Sequence, residues 1–108
     1  MSKKTQHLLV LSTCPGSISA KNIAKFLVDE QLAACVNIVS NIQSYFRWLK
    51  KIEKADEHLL LIKTTSDCYP ALEKSLLDMH PNELPEIIAV PIHTGLTDYL
   101  DWVSDNTK

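Results

Sequence analysis

Two short apolar runs constrain this chain more than any other feature: HLLVLST at residues 7–13 and HLLLIKTT at residues 58–65. The first is nearly continuous and is bounded by Pro15-Gly16, which fits a central strand buried on both faces. The second reads as another strand. Between them Ala20, Ile23, Ala24, Leu27 and Val28 recur at helical spacing, with Lys21, Asn22, Lys25, Asp29 and Glu30 on the other side. That spacing predicts an amphipathic helix ending near Gln31, with Ser17 as its N-cap.

Residues 33–46 are rich in β-branched and aromatic side chains, which predicts a long strand with a bulge near Ser40-Asn41. The charged stretch from Lys50 to Glu57 reads as a hairpin turn or an exposed, solvated strand, and no Asn-Gly or Asp-Gly pair fixes the turn. A second helix follows, with Thr65-Ser66-Asp67 as caps and Pro70 in its first turn. Its stripe is Tyr69, Leu72, Leu76 and Met79, with His80 in the last turn and Pro81 as its stop. Residues 86–90 form a fourth strand between Pro85 and Pro91, a position that suits a sheet edge. Residues 98–105 form a short C-terminal helix with Tyr99, Trp102 and Val103 on its apolar side.

The resulting order, β-α-β-β-α-β, is the split-βαβ, ferredoxin-like arrangement: an α+β fold in one domain spanning residues 1–108, with both helices on one face of a four-stranded sheet. The second and third strands are longer than a small domain needs and carry Ile, Val, Phe, Tyr and Trp. Apolar surface of that extent seeks a partner, so a homo-oligomer held partly by the long hairpin is expected.

Several functions are disfavoured. The net charge is −2 and the basic set contains a single arginine, Arg47. That leaves little for phosphate or base recognition, and no nucleic-acid partner is expected. The two inner runs carry no aromatic residue for stacking RNA bases. Only Gly16 and Gly95 are glycines, too few for a Gly-rich phosphate loop. No run approaches a membrane span, and the start Met1-Ser2-Lys3-Lys4 lacks the apolar stretch of a signal peptide. A cytoplasmic protein is therefore expected. Cys14, Cys35 and Cys68 are widely spaced without a CxxC, so no zinc ribbon or redox dithiol is indicated.

Topology brings one cluster together. Strand four lies antiparallel to strand one, so Ser12, Thr13 and Cys14 should approach Met79, His80 and Glu83. A Cys14–His80 nucleophilic pair lacks an orienting third residue and oxyanion donors. A thiol, an imidazole and a thioether suit a soft metal such as Cu(I). The same residues also read as a core cysteine, an ordinary stripe methionine and a helix-end histidine favoured by the dipole.

LAACVNIV at residues 32–39, LIKTT at 61–65, HPNELPEIIAVPI at 80–92 and TDYLDWV at 97–103 resemble the CutA family, the divalent-cation tolerance proteins. The resemblance runs from about residue 7 to residue 103. It implies a ferredoxin-like homotrimer, similar in architecture to the PII signalling proteins, with copper or other divalent metal as ligand and no enzymatic activity. Its copper ligands are a strand-one cysteine and two consecutive histidines. Those positions fall here on Ser12, Met79 and His80, with Cys14 two residues on as the substitute thiol. The family's Trp-Glu-Gly-Lys is Trp48-Leu49-Lys50-Lys51 here, so the glycine turn is lost and a hairpin tip of different shape is expected. A PII-like small-molecule pocket at subunit clefts, in a sensor acting through an unidentified protein partner, would be lined by Trp48, Lys63 and Glu86. The plainer reading makes all three intersubunit contacts, with Lys63 of one subunit paired with Glu86 of another and Trp48 packed.

Overall fold

The structure is a computed structural model that describes residues 6–108; the Met1-Ser2-Lys3-Lys4 start lies outside the described residues. The elements are β1 (His7–Cys14), α1 (Ser17–Asp29), β2 (Cys35–Trp48), β3 (Lys51–Thr65), α2 (Tyr69–Met79), β4 (Ile87–Pro91) and α3 (Thr97–Asp105). They form one antiparallel sheet in the order β2-β3-β1-β4. This is the ferredoxin-like α+β arrangement that the element order implies. β4, with its proline, takes an edge as expected, because a missing N–H costs no ladder bond there.

Alternation along the strands sorts the side chains into two layers. Val10, Cys14, Leu60 and Ile62 join Ala20, Ile23 and Leu27 of α1 and Leu72 and Leu76 of α2 in the main core. The intervening residues face the opposite side, where α3 covers one end: Val103 is fully buried, and Ser104 Oγ lies 2.8 Å from His7 Nε2.

Helix ends differ from the sequence reading for local reasons. Neither Ser17 nor the 65–67 segment caps a helix; the N-cap positions are Gly16 and Cys68, without side-chain cap bonds. α1 closes at Asp29, and Gln31 adopts a left-handed conformation (φ 56°). There the Leu32 N–H donates to Leu27 O and the Gln31 N–H to Val28 O, a Schellman closure. His80 lies just past α2 in extended backbone (ψ 134°), because the following Pro81 disfavours helical geometry at the preceding residue.

β3 starts at Lys51 rather than His58, so the charged stretch is strand. Its side chains are mostly solvated while its backbone pairs with β2 from Lys51 opposite Trp48 to Glu57 opposite Ile42. The bulge falls between Val39 and Ile42, with Asn41 at φ 63°. Beyond it the β2–β3 ribbon extends past β1, which makes the molecule 49 Å long and only 25 Å wide. The radius of gyration is 14.6 Å, against about 13 Å for a compact chain of this length.

The turn at the ribbon tip is two residues long. Leu49 and Lys50 make it, both left-handed (φ 51° and 68°), as a primed two-residue turn requires. Side chains there are strained. Lys50→Gly should therefore stabilise the protein by about 0.5–1 kcal/mol in urea denaturation. An unchanged or lower midpoint would show that the turn is not strained.

Candidate functional site

At the end of β1, Cys14 is fully buried and His80 nearly so, and Cys14 Sγ lies 3.8 Å from His80 Nε2. The topology anticipated this approach. The β1–β4 ladder pairs Ser12 with Ile87, which leaves the six residues after His80 to loop back over the strand end. Both imidazole nitrogens have partners. Nε2 donates to Thr13 O (2.7 Å), and Nδ1 accepts from the Asn82 N–H (3.1 Å), so the ring proton sits on Nε2.

The environment of Cys14 favours the thiol. Burial, and secondarily the Glu57 carboxylate, push it up from 9.0 to about 11. Ser12 shares the strand face of Cys14. It is fully buried, and its Oγ has no hydrogen-bond partner among the described residues. Met79 ends α2 with 36% of its surface exposed. Among the described residues no three His, Cys, Asp or Glu side chains stand together as a metal-holding group.

The second set of candidates divides. Trp48 and Glu86 line one cleft of about 1020 Å³ between the ribbon and the loop from Pro81 to Glu86. Lys63 does not line it. It lies opposite Leu9 and Cys35, and its Nζ donates to Asn37 Oδ1. Leu9 is three residues, roughly 10 Å, along β1 from Ser12, the register partner of Ile87. A Lys63–Glu86 ion pair is not formed within the chain.

Glu57, read from sequence as part of a solvated charge run, is only 8% exposed and lines the same cleft beside Thr13. Its signal was available. Counting back in twos from Leu61 and Leu59 places residue 57 on the face of β3 that turns away from the main core. No hydrogen bond or ion pair to its carboxylate occurs among the described residues.

A family model described as CutA1 divalent ion tolerance protein matches residues 8–106. The chain is 46% identical to the divalent-cation tolerance protein CutA of Thermus thermophilus, over 92% of this chain and 96% of that one. A solved structure of the divalent cation tolerance protein (Cut A1) from Thermus thermophilus superposes with a TM-score of 0.93 at 45% identity, covering 94% of this chain and 99% of the other. The expected cytoplasmic location is overturned by two further relatives. One, from Arabidopsis thaliana, is named Protein CutA, chloroplastic; it is 37% identical over 99% of this chain and 59% of its own length. The other is the structure of the periplasmic divalent cation tolerance protein CutA from Archaeoglobus fulgidus, with a TM-score of 0.91 at 38% identity, covering 94% and 99% of the two chains. Relatives with this fold are thus named for other compartments. Among the described residues no helix is long and apolar enough to cross a membrane.

The raised Cys14 pKa has a consequence for stability. The folded state holds this proton more tightly than the unfolded chain does. Its contribution is therefore complete below pH 9 and is lost as pH rises from 9.0 to about 11. Over that window the parent should lose ~2–3 kcal/mol more stability than Cys14→Ala in urea denaturation. Parallel pH profiles would contradict it.

Proposed function

The chain belongs to the CutA1 divalent ion tolerance family, and from that premise we propose that it serves in metal-ion tolerance by binding a soft or divalent metal at the end of β1. The observation that carries the site is the buried approach of Cys14 Sγ to His80 Nε2 at 3.8 Å. A thiolate and an imidazole suit Cu(I). The unpartnered Ser12 hydroxyl is a third polar group on the same strand face, and Met79 offers a thioether one residue before His80.

Ligation by Nε2 shifts its proton to Nδ1 and gives up the Thr13 and Asn82 bonds. Ligation by Cys14 releases the thiol proton. Both costs point to modest affinity, in a protein that binds and responds rather than one that turns over a substrate. His80→Ala and Cys14→Ser should each weaken copper binding at least tenfold in calorimetric titration, since each removes one of two direct ligands. Equal affinity in the parent and both variants would reject the site.

We read the assembly as a homotrimer of one-domain subunits. The ribbon exposes Tyr45, Phe46, Trp48, Leu49 and Ile52, and β4 exposes Ile88 and Val90. The sheet ends in two open edges, β2 and β4, and edge-to-edge pairing between copies closes naturally into a ring. Light scattering should give three times the chain mass at micromolar concentration; a monomer would remove this part of the reading.

A second reading rests on the cleft that Trp48 and Glu86 share. In it the protein is a PII-like sensor that binds a small molecule and acts through a protein partner. Lys63 joins such a site only if it comes from another copy, because within one chain it lies elsewhere on the sheet.

A further inference from the structure

The partners of His80 fix where its ring proton sits. A backbone carbonyl can only accept, so Thr13 O at 2.7 Å requires the proton on Nε2. A backbone N–H can only donate, so Asn82 N at 3.1 Å requires a bare Nδ1. One neutral tautomer satisfies both partners, and the other satisfies neither. The residue is only 8% exposed, so water does not readily replace a lost partner.

The Asn82 bond has a reach beyond the ring. Residues 81–84 are exposed, Leu84 at 73%, and they lead the chain from the end of α2 towards β4. Among the described residues, the bond from the Asn82 N–H to His80 Nδ1 is the sole hydrogen bond made by residues 82–85. Pro85 has no N–H to offer another. The segment is thus held at its two ends and by one bond to the imidazole. Asn82, Glu83 and Leu84 also form the wall of the cleft that faces the ribbon.

Cys14 Sγ lies 3.8 Å from Nε2, the nitrogen that carries the proton. Shared ligation by Cys14 and His80 uses the Nε2 lone pair, which is free only once that nitrogen has lost its proton. In a neutral imidazole the proton then resides on Nδ1. The ring neither gains nor loses a proton in this step, while the Cys14 thiol releases its own to solvent. Nδ1–H now faces the Asn82 N–H, donor against donor, and neither is satisfied. Metal-ligating histidines ordinarily give their second N–H to a carbonyl or carboxylate. Here a backbone N–H occupies that place.

We propose that ligation at His80 Nε2 releases the 82–85 segment, so that an exposed stretch of chain reports the state of the buried Cys14–His80 site. This rests on the reading above that a metal binds at that site, and it adds how the protein signals that binding. Linkage makes the effect reciprocal: whatever holds the segment in place weakens metal binding by the same factor.

The test compares the full chain without metal and with Cu(I) under anaerobic conditions at one pH, by amide hydrogen exchange and by nitrogen NMR of the histidine rings. Without metal, the His80 proton should reside on Nε2 and the Asn82 amide should be protected. With Cu(I) the proton should move to Nδ1. Exchange at Asn82 should then quicken about tenfold or more, while the amides of β1 and β3 stay as they were. His80→Gln is the control, because its side-chain amide offers a donor to Thr13 O and an acceptor to the Asn82 N–H but is a poor ligand for copper. In that variant Asn82 should stay protected with and without Cu(I). Copper binding to the parent that leaves the ring tautomer and the Asn82 exchange unchanged overturns the switch and spares the metal site. Copper-dependent exchange at Asn82 that persists in His80→Gln also overturns it, since the release then does not pass through the ring. Absence of Cu(I) binding to the parent rejects the metal site and the switch together.

Discussion

Everything in this molecule depends on β1 being paired on both sides, with β3 from His7 to Cys14 and with β4 from Leu8 to Ser12. β4 is the shorter partner, so the last two residues of β1 pair with β3 alone and meet the loop that leaves α2. His80 fills that position, and Thr13 O accepts a hydrogen bond from its Nε2–H. The same offset opens the cleft, because the ribbon continues beyond Cys14 with no third strand beside it. Both candidate sites therefore arise at one end of the sheet from a difference in strand length.

Much of this was legible from residues alone. The continuous apolar runs marked β1 and the inner part of β3, the prolines around residues 86–90 marked an edge, and antiparallel topology brought Cys14 to His80. What failed to show had a common cause: it depended on backbone pairing instead of on side-chain polarity. Lys51, Glu53, Lys54 and Asp56 read equally as turn or exposed strand, and only the ladder with β2, whose side chains need no burial, decides for strand. Leu49 and Lys50 carry no turn signature, yet the twist of two paired strands forces both into left-handed geometry.

The buried polar groups divide along the same line. His80 is fully paired within its chain, through Thr13 and Asn82, and belongs to the structure as much as to any site. Ser12 Oγ is buried and has no partner among the described residues. A satisfied group contributes order whether or not anything binds; an unsatisfied one keeps a standing cost that only an incoming partner relieves.

The left-handed residue at Asn41 has a wider reach than its one position suggests. Before it, Val39 opposes Leu59; after it, Ile42 opposes Glu57, one step out of phase. With an uninterrupted ladder, Tyr45 and Arg47 would stand opposite Glu53 and Lys51, where Phe46 and Trp48 now stand. The extra residue thus sets which side chains of outer β2 share a face with Glu53 and Glu57, and removing Asn41 itself would straighten the ladder while leaving Ile42 opposite Glu57.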